Sequence, residues 1–186
     1  MFYYNYDICK KCGGNCCKAL PGFALPKDII KNFPDKNLKN SVIKALKSKE
    51  WSIDWYEGAE ETDGKDYYFI RPAIDYKPML EILKKTKIDM KNSFMVKRFK
   101  NLIFDPSFGG RCIFLTESGC KLSEELRPDA CKRLKAKEGK NKKCTYDIKG
   151  NVKLYYGKKW EESKVNLYKI GKKLEYENEI EKQAYN

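Results

Sequence analysis

The sequence predicts an α+β fold in one domain, on three observations. Trp51, Ile53 and Trp55 alternate with Ser52 and Asp54, the period of two that marks a half-buried strand. Leu38, Val42, Ile43, Ala45 and Leu46 recur instead at helical spacing. No internal repeat and no long linker divides the 186 residues, a length that suits one core. Aromatic residues reach 13%, too many for a disordered chain even with 35% charged residues.

The elements follow in order. Residues 23–25 (Phe-Ala-Leu) read as a short strand leading into a helix over 26–33, with Pro26 at its start and Asp28 in its first turn. A second helix is predicted over 38–49 and a strand over 51–55. Five acids with Gly58 and Gly64 make 57–66 an exposed loop, and Tyr67-Tyr68-Phe69-Ile70 the partner strand of a hairpin. Residues 74–105 carry apolar side chains at loosely helical spacing (Leu80, Leu83, Ile88; Met95, Phe99, Ile103). Residues 112–115 read as a short strand ended by Glu117-Ser118-Gly119, and 128–134 as a short helix with Pro in its first turn. Residues 146–148 and 152–156 read as two strands joined by a turn at Lys149-Gly150-Asn151. The tail over 160–182 is a helix with Leu167, Ile170 and Leu174 inward.

The composition excludes much chemistry. There are eight cysteines and no histidine. A Ser-His-Asp or Cys-His nucleophile pair, a histidine metalloprotease helix, a two-histidine iron site and a Cys₂His₂ finger are all ruled out. A transition-metal site must be built mainly from thiolates. The net charge of +13 invites a nucleic-acid partner, yet of 39 basic residues only Arg71, Arg98, Arg111, Arg127 and Arg133 carry the planar fork that reads phosphate and base edges. The rest is lysine, which A/T-rich codons supply in bulk, so the charge reads as a solvated surface. No apolar run approaches a membrane span, and the opening Met1-Phe2-Tyr3-Tyr4 lacks a secretion signal. A cytoplasmic protein is expected.

The cysteines fall in two blocks, Cys9-x2-Cys12-x3-Cys16-Cys17 and Cys112-x7-Cys120-x10-Cys131-x12-Cys144. Four within nine residues exceed what core packing explains. Disulfides need an oxidising compartment, and the vicinal Cys16-Cys17 cannot readily bridge each other. Clustered thiolates binding zinc or an iron–sulfur cluster fit better. Gly13 and Gly14 then allow a close backbone approach that turns N–H groups toward sulfur. A single CxxC with spacings of 7, 10 and 12 matches no zinc-ribbon rule, which leaves both metals open. Adjacent Cys16 and Cys17 should point apart, so one tetrahedral ion is not expected to take both. The reading is therefore a domain organised around one or two Cys-ligated centres, with Cys9, Cys12, Cys16, Cys17, Cys112, Cys120, Cys131 and Cys144 as candidate ligands.

These motifs resemble the YkgJ-like cysteine-cluster family. The opening Cys9–Cys17 run with residues 23–29, then Cys112-Ile113-Phe114-Leu115, Gly119-Cys120, Arg127-Pro128-Asp129-Ala130-Cys131 and Cys144, follow that family's order. The resemblance implies a zinc- or iron-chelating domain of the iron–sulfur-cluster type, [4Fe-4S] being the favoured cluster. Two departures stand out. Lys132-Arg133-Leu134-Lys135 replaces the arginine-aromatic-proline-like stretch after the last motif, and 49–108 is longer than in compact members, as an insertion would be. Flagellin lysine methylases look similar in their N-terminal cysteine cluster, but no Gly-rich loop after a strand is present here to hold a methyl donor.

Arg127 could hydrogen-bond cluster sulfurs, or it could pair with Asp129 or Glu125. Arg111 flanks Cys112. Residues 132–143 hold seven bases and one acid, read as a solvated loop between two ligands, and Trp51 and Trp55 read as core. Three functions remain: a metal or iron–sulfur protein with a redox or electron-transfer role and a redox or protein partner; an enzyme that uses the centre to modify a protein or peptide; and a zinc module that binds nucleic acid.

Overall fold

Pairing of the two aromatic strands forms the middle of the fold. In the computed structural model, which describes residues 13–19, 21–58, 62, 64–85, 102–105, 110–135 and 145–184, β1 (Trp51–Tyr56) and β2 (Tyr67–Pro72) are antiparallel. Ile53 lies opposite Ile70 and Trp55 opposite Tyr68. The segment 49–108 thus supplies the central hairpin. Its predicted helical stretch is met by a helix at Lys77–Lys85, while 86–101 lie outside the described residues.

The hairpin differs from a half-buried one in an instructive way. Trp51, Ser52, Ile53 and Asp54 are all buried, so the polar face turns inward as well. Arg71, fully buried, makes this possible. Its Nε donates to Asp54 Oδ2 at 2.9 Å, and Nη2 stands 3.1 Å from Asp105 Oδ2 and donates to Asp105 O at 2.9 Å. Nη1 donates to Pro72 O at 3.0 Å, and Tyr76 Oη donates to Asp105 Oδ1 at 2.7 Å. A buried charge survives only when paired and hydrogen-bonded, and here both conditions hold.

Helices α1 (Asn15–Ala19), α2 (Pro26–Asn32) and α3 (Leu38–Lys47) precede the hairpin. Asp28 Oδ2 accepts the Leu25 N–H at 2.8 Å, and Asn37 Oδ1 accepts the Asn40 N–H at 2.9 Å, satisfying helix-start donors. The expected strand at 23–25 reduces to one bridge, Ala24 N–H to Ile70 O at 2.9 Å. With Lys77–Lys85 as α4, the chain continues through β3 (Leu115–Thr116) and β4 (Gly119–Cys120), a 3₁₀ turn at Glu124–Leu126, α5 (Asp129–Lys132), β5 (Leu134–Lys135) and β6 (Thr145–Tyr146). All three sheets of the described residues are two-stranded and antiparallel, the mixed architecture the sequence predicts.

One prediction fails at the end of the chain. Residues 152–156 are not a strand but the first half of α6 (Val152–Glu162). Asn151, read as a turn residue, accepts the Leu154 N–H at 3.2 Å and caps the helix. Tyr156 and Trp160, four apart, are both buried, a helical signal that the β-branched and aromatic content concealed. The tail helix accordingly starts later, as α7 (Leu167–Ala184) after a break in which Lys164 has φ 60°. Phe23 packs on Phe69 and Tyr156 at ring separations of 5.0 and 5.4 Å, and Trp160 Nε1 donates to Ala24 O at 2.8 Å. Each such aromatic contributes about 1.5–3 kcal/mol by burial. Among the described residues no helix is long and apolar enough to cross a membrane.

Candidate metal centre

Two glycines open the first cysteine block. Gly13 and Gly14 have φ of 63° and 70° and deliver the chain into α1, which carries Cys16 and Cys17. A side chain at Gly14 would also meet Leu115 Cδ1 at 2.7 Å. Two backbone bonds of 2.7 Å then tie this block to the distal one, Gly110 N–H to Ala19 O and Cys112 N–H to Cys17 O. The tight β3–β4 turn sets Cys120 opposite Leu115. Pro128 stops the preceding 3₁₀ turn and starts α5, and the Ala130 N–H donates to Phe23 O at 3.1 Å, drawing Cys131 toward the N-terminal segment.

The result is a cavity of about 280 Å³ lined by Cys16, Cys17, Cys120, Cys131 and Arg127, with Gly13, Gly14, Leu115 and Leu134 completing its wall. Each block contributes two cysteines. Cys16 and Cys17 correct the expectation that a vicinal pair diverges. Both face the cavity, their Sγ atoms 3.9 Å apart. That is far beyond a disulfide bond length of about 2.05 Å, and the five described cysteines are free thiols. Cys112 is 6% exposed and belongs to the hydrophobic core behind this wall. Cys9, Cys12 and Cys144 lie outside the described residues.

Crowding and burial set the electrostatics. The Cys17 sulfur, then burial, pushes the Cys16 thiol well above the ordinary range. Burial pushes Cys112 up to about 12 and Cys131 well above the usual thiol value, with charge on Cys112, Cys120 and Cys16 adding to the rise at Cys131. Backbone N–H groups act in the opposite sense. The Gly22 backbone lowers the Cys131 thiol, that of Phe114 the Cys112 thiol, and that of Cys16 and Cys17 the Cys16 thiol, each by less than burial raises it. Such sulfurs hold negative charge together only beside a cation, which deprotonates thiols outright on binding. The donor set suits a thiophilic metal or cluster. Among the described residues, no group of three or more Cys, Asp or Glu side chains stands at ion-binding spacing.

Backbone carbonyls and Asp129 engage the flanking charges. Arg127 is 5% exposed, lines the cavity, and donates through Nε to Leu122 O at 3.2 Å. Asp129 pairs instead with Arg133 Nε at 2.6 Å and accepts from Tyr156 Oη at 2.9 Å. Arg111 Nη2 caps Leu115 O at 2.9 Å. Lys132 Nζ donates to Glu125 O at 3.0 Å, so the basic run begins with two engaged side chains; residues 136–144 lie outside the described ones. Trp51 is core, as expected. Gly22, against Cys131, was invisible to sequence reasoning, because nothing local marks a glycine whose constraint lies 109 positions away.

No family model, no curated protein and no solved structure matches the chain.

Proposed function

We propose that this chain is a thiolate-ligated metal protein of the YkgJ-like kind, holding an iron–sulfur cluster, with zinc as the alternative occupant. One observation carries the reading: Cys16 and Cys17 line the same cavity as Cys120 and Cys131, although about 100 residues separate the two blocks. Cysteines buried for packing alone have no reason to share one concave wall. Cys9, Cys12, Cys112 and Cys144 complete the candidate ligand set, with Gly13, Gly14 and Arg127 in support.

Cysteine spacings of 7, 10 and 12 match no zinc-ribbon rule, which supports a cluster. The Cys16 and Cys17 sulfurs, 3.9 Å apart, stand near the spacing of about 3.8 Å that tetrahedral zinc with Zn–S near 2.3 Å imposes, which keeps zinc as the alternative. When bound, a cluster supplies one-electron redox chemistry at a potential set by hydrogen bonds and exposure. The chain's own part is to orient sulfurs, donate N–H groups to them and keep Arg127 beside the negative charge. A cytoplasmic setting, where thiols stay reduced, accords with this role.

Anaerobic purification followed by elemental analysis and visible spectroscopy tests the proposal. Iron with inorganic sulfide and broad absorption near 400 nm is expected. Stoichiometric zinc with a colourless spectrum would sink the cluster, and eight cysteines paired as disulfides would sink the site.

A further inference from the structure

Gly22 carries the tightest constraint beside the candidate centre. It is buried, and a Cβ at this position would stand 2.5 Å from Cys131 Sγ, 3.1 Å from Cys131 N and 3.4 Å from Ala130 Cβ. Ordinary heavy-atom contact is about 3.5–4.0 Å, so a methyl group and the present position of the sulfur exclude each other. The backbone of Gly22 is not left-handed, so conformational freedom does not account for the glycine. Nor can the segment retreat. Ala24 N–H is fixed on Ile70 O at 2.9 Å and Phe23 O on the Ala130 N–H at 3.1 Å, so residues flanking Gly22 are bonded to β2 on one side and α5 on the other. The Gly22 backbone N–H also acts to lower the Cys131 thiol, against the larger rise that burial causes.

We infer that Gly22 is a positioning residue of the metal centre: having no side chain, it leaves Cys131 Sγ the place it occupies beside the cavity, where that sulfur serves as a ligand. The inference rests on the metal reading above and adds to it a specific orienting contact, of the kind that fixes ligand direction and tunes the bound metal. A ligand sulfur aimed before the metal arrives requires no rearrangement on binding.

The test uses full-length protein reduced under anaerobic conditions and loaded with ¹¹³Cd²⁺, a spin-active thiophilic ion. In the wild type, the Cys131 β-protons are expected to show scalar coupling to cadmium through the sulfur. Gly22→Ala is expected to keep the wild-type circular dichroism yet bind Cd²⁺ at least tenfold more weakly. In a Cys131→Ala background the same glycine substitution should weaken binding no further, since the sulfur it displaces is gone. Uncoupled Cys131 β-protons in the loaded wild type, or wild-type affinity in Gly22→Ala, overturns the inference. If Gly22→Ala does not fold, the coupling in the wild type decides alone. A wild type that takes up none of cadmium, zinc or iron overturns the metal reading itself, a result distinct from either of these.

Discussion

Among the described residues, replacing Arg71 with methionine removes the only cation paired with Asp105 and one of two beside Asp54. Arg71, Asp54 and Asp105 are 0%, 1% and 1% exposed. Among the described residues there remain the Lys153 ammonium, 3.8 Å from Asp54 Oδ1, the Trp55 N–H on the same oxygen at 2.8 Å, and the Tyr76 hydroxyl on Asp105. Breaking a buried pair from one side costs about 3–5 kcal/mol, because a charge is left without compensation. A destabilisation of about 4 kcal/mol at pH 7 is expected.

Urea unfolding followed by tryptophan fluorescence at pH 7 measures this loss, with unchanged slope confirming two-state behaviour. Adding Asp105→Asn to Arg71→Met removes the charge left without compensation and should recover a comparable amount. A loss under about 1 kcal/mol in the single variant, or no recovery in the double one, would refute the description of this network as buried and charged.

Four further outcomes are expected. Cys16→Ser and Cys120→Ser, made separately, should each lower the metal-to-protein ratio of anaerobically purified protein at least severalfold, because the two blocks share one centre; full retention in either removes that cysteine from the ligand set. Trp160→Phe abolishes the donor to Ala24 O and leaves a gap, and should cost about 2–4 kcal/mol in urea titrations. Gly157→Ala sets a methyl group against Tyr67 of β2, and overpacking of about 1–3 kcal/mol should outweigh the roughly 1 kcal/mol gained in helix propensity, lowering the midpoint rather than raising it. Asp28, 4% exposed, has its carboxyl raised by burial against the N–H groups of Leu25 and Asp129 that it accepts. Its ionisation thus opposes folding above the raised pKa, and the opposition fades as pH falls toward 3.9. The stability of the wild type relative to Asp28→Asn should rise over that interval, and a parallel pair of pH curves would contradict it.

The sequence by itself settled those features that repeat at short range. The spacing of Leu38, Val42 and Ala45 identified α3, and alternation at Trp51–Trp55 identified β1, because a helix or strand prints its own period on the chain. The absence of histidine, and eight cysteines in two groups of four, left thiolates as the main candidate ligands for any transition metal. Where local signals conflicted, the reading went astray. Val152, Leu154, Tyr155 and Tyr156 favour strand by type, yet the Asn151 cap and the burial of Tyr156 with Trp160 against β2 make them helix. Only the tertiary structure decided that Cys16 and Cys17 share a cavity with Cys120 and Cys131, that Cys112 stands behind it, and that Gly22 must lack a side chain. It also decided that Asp54 is buried with Arg71 instead of facing water. These are contacts between residues 17 to about 110 positions apart, and the chain that joins them carries no trace of the distance at which they meet.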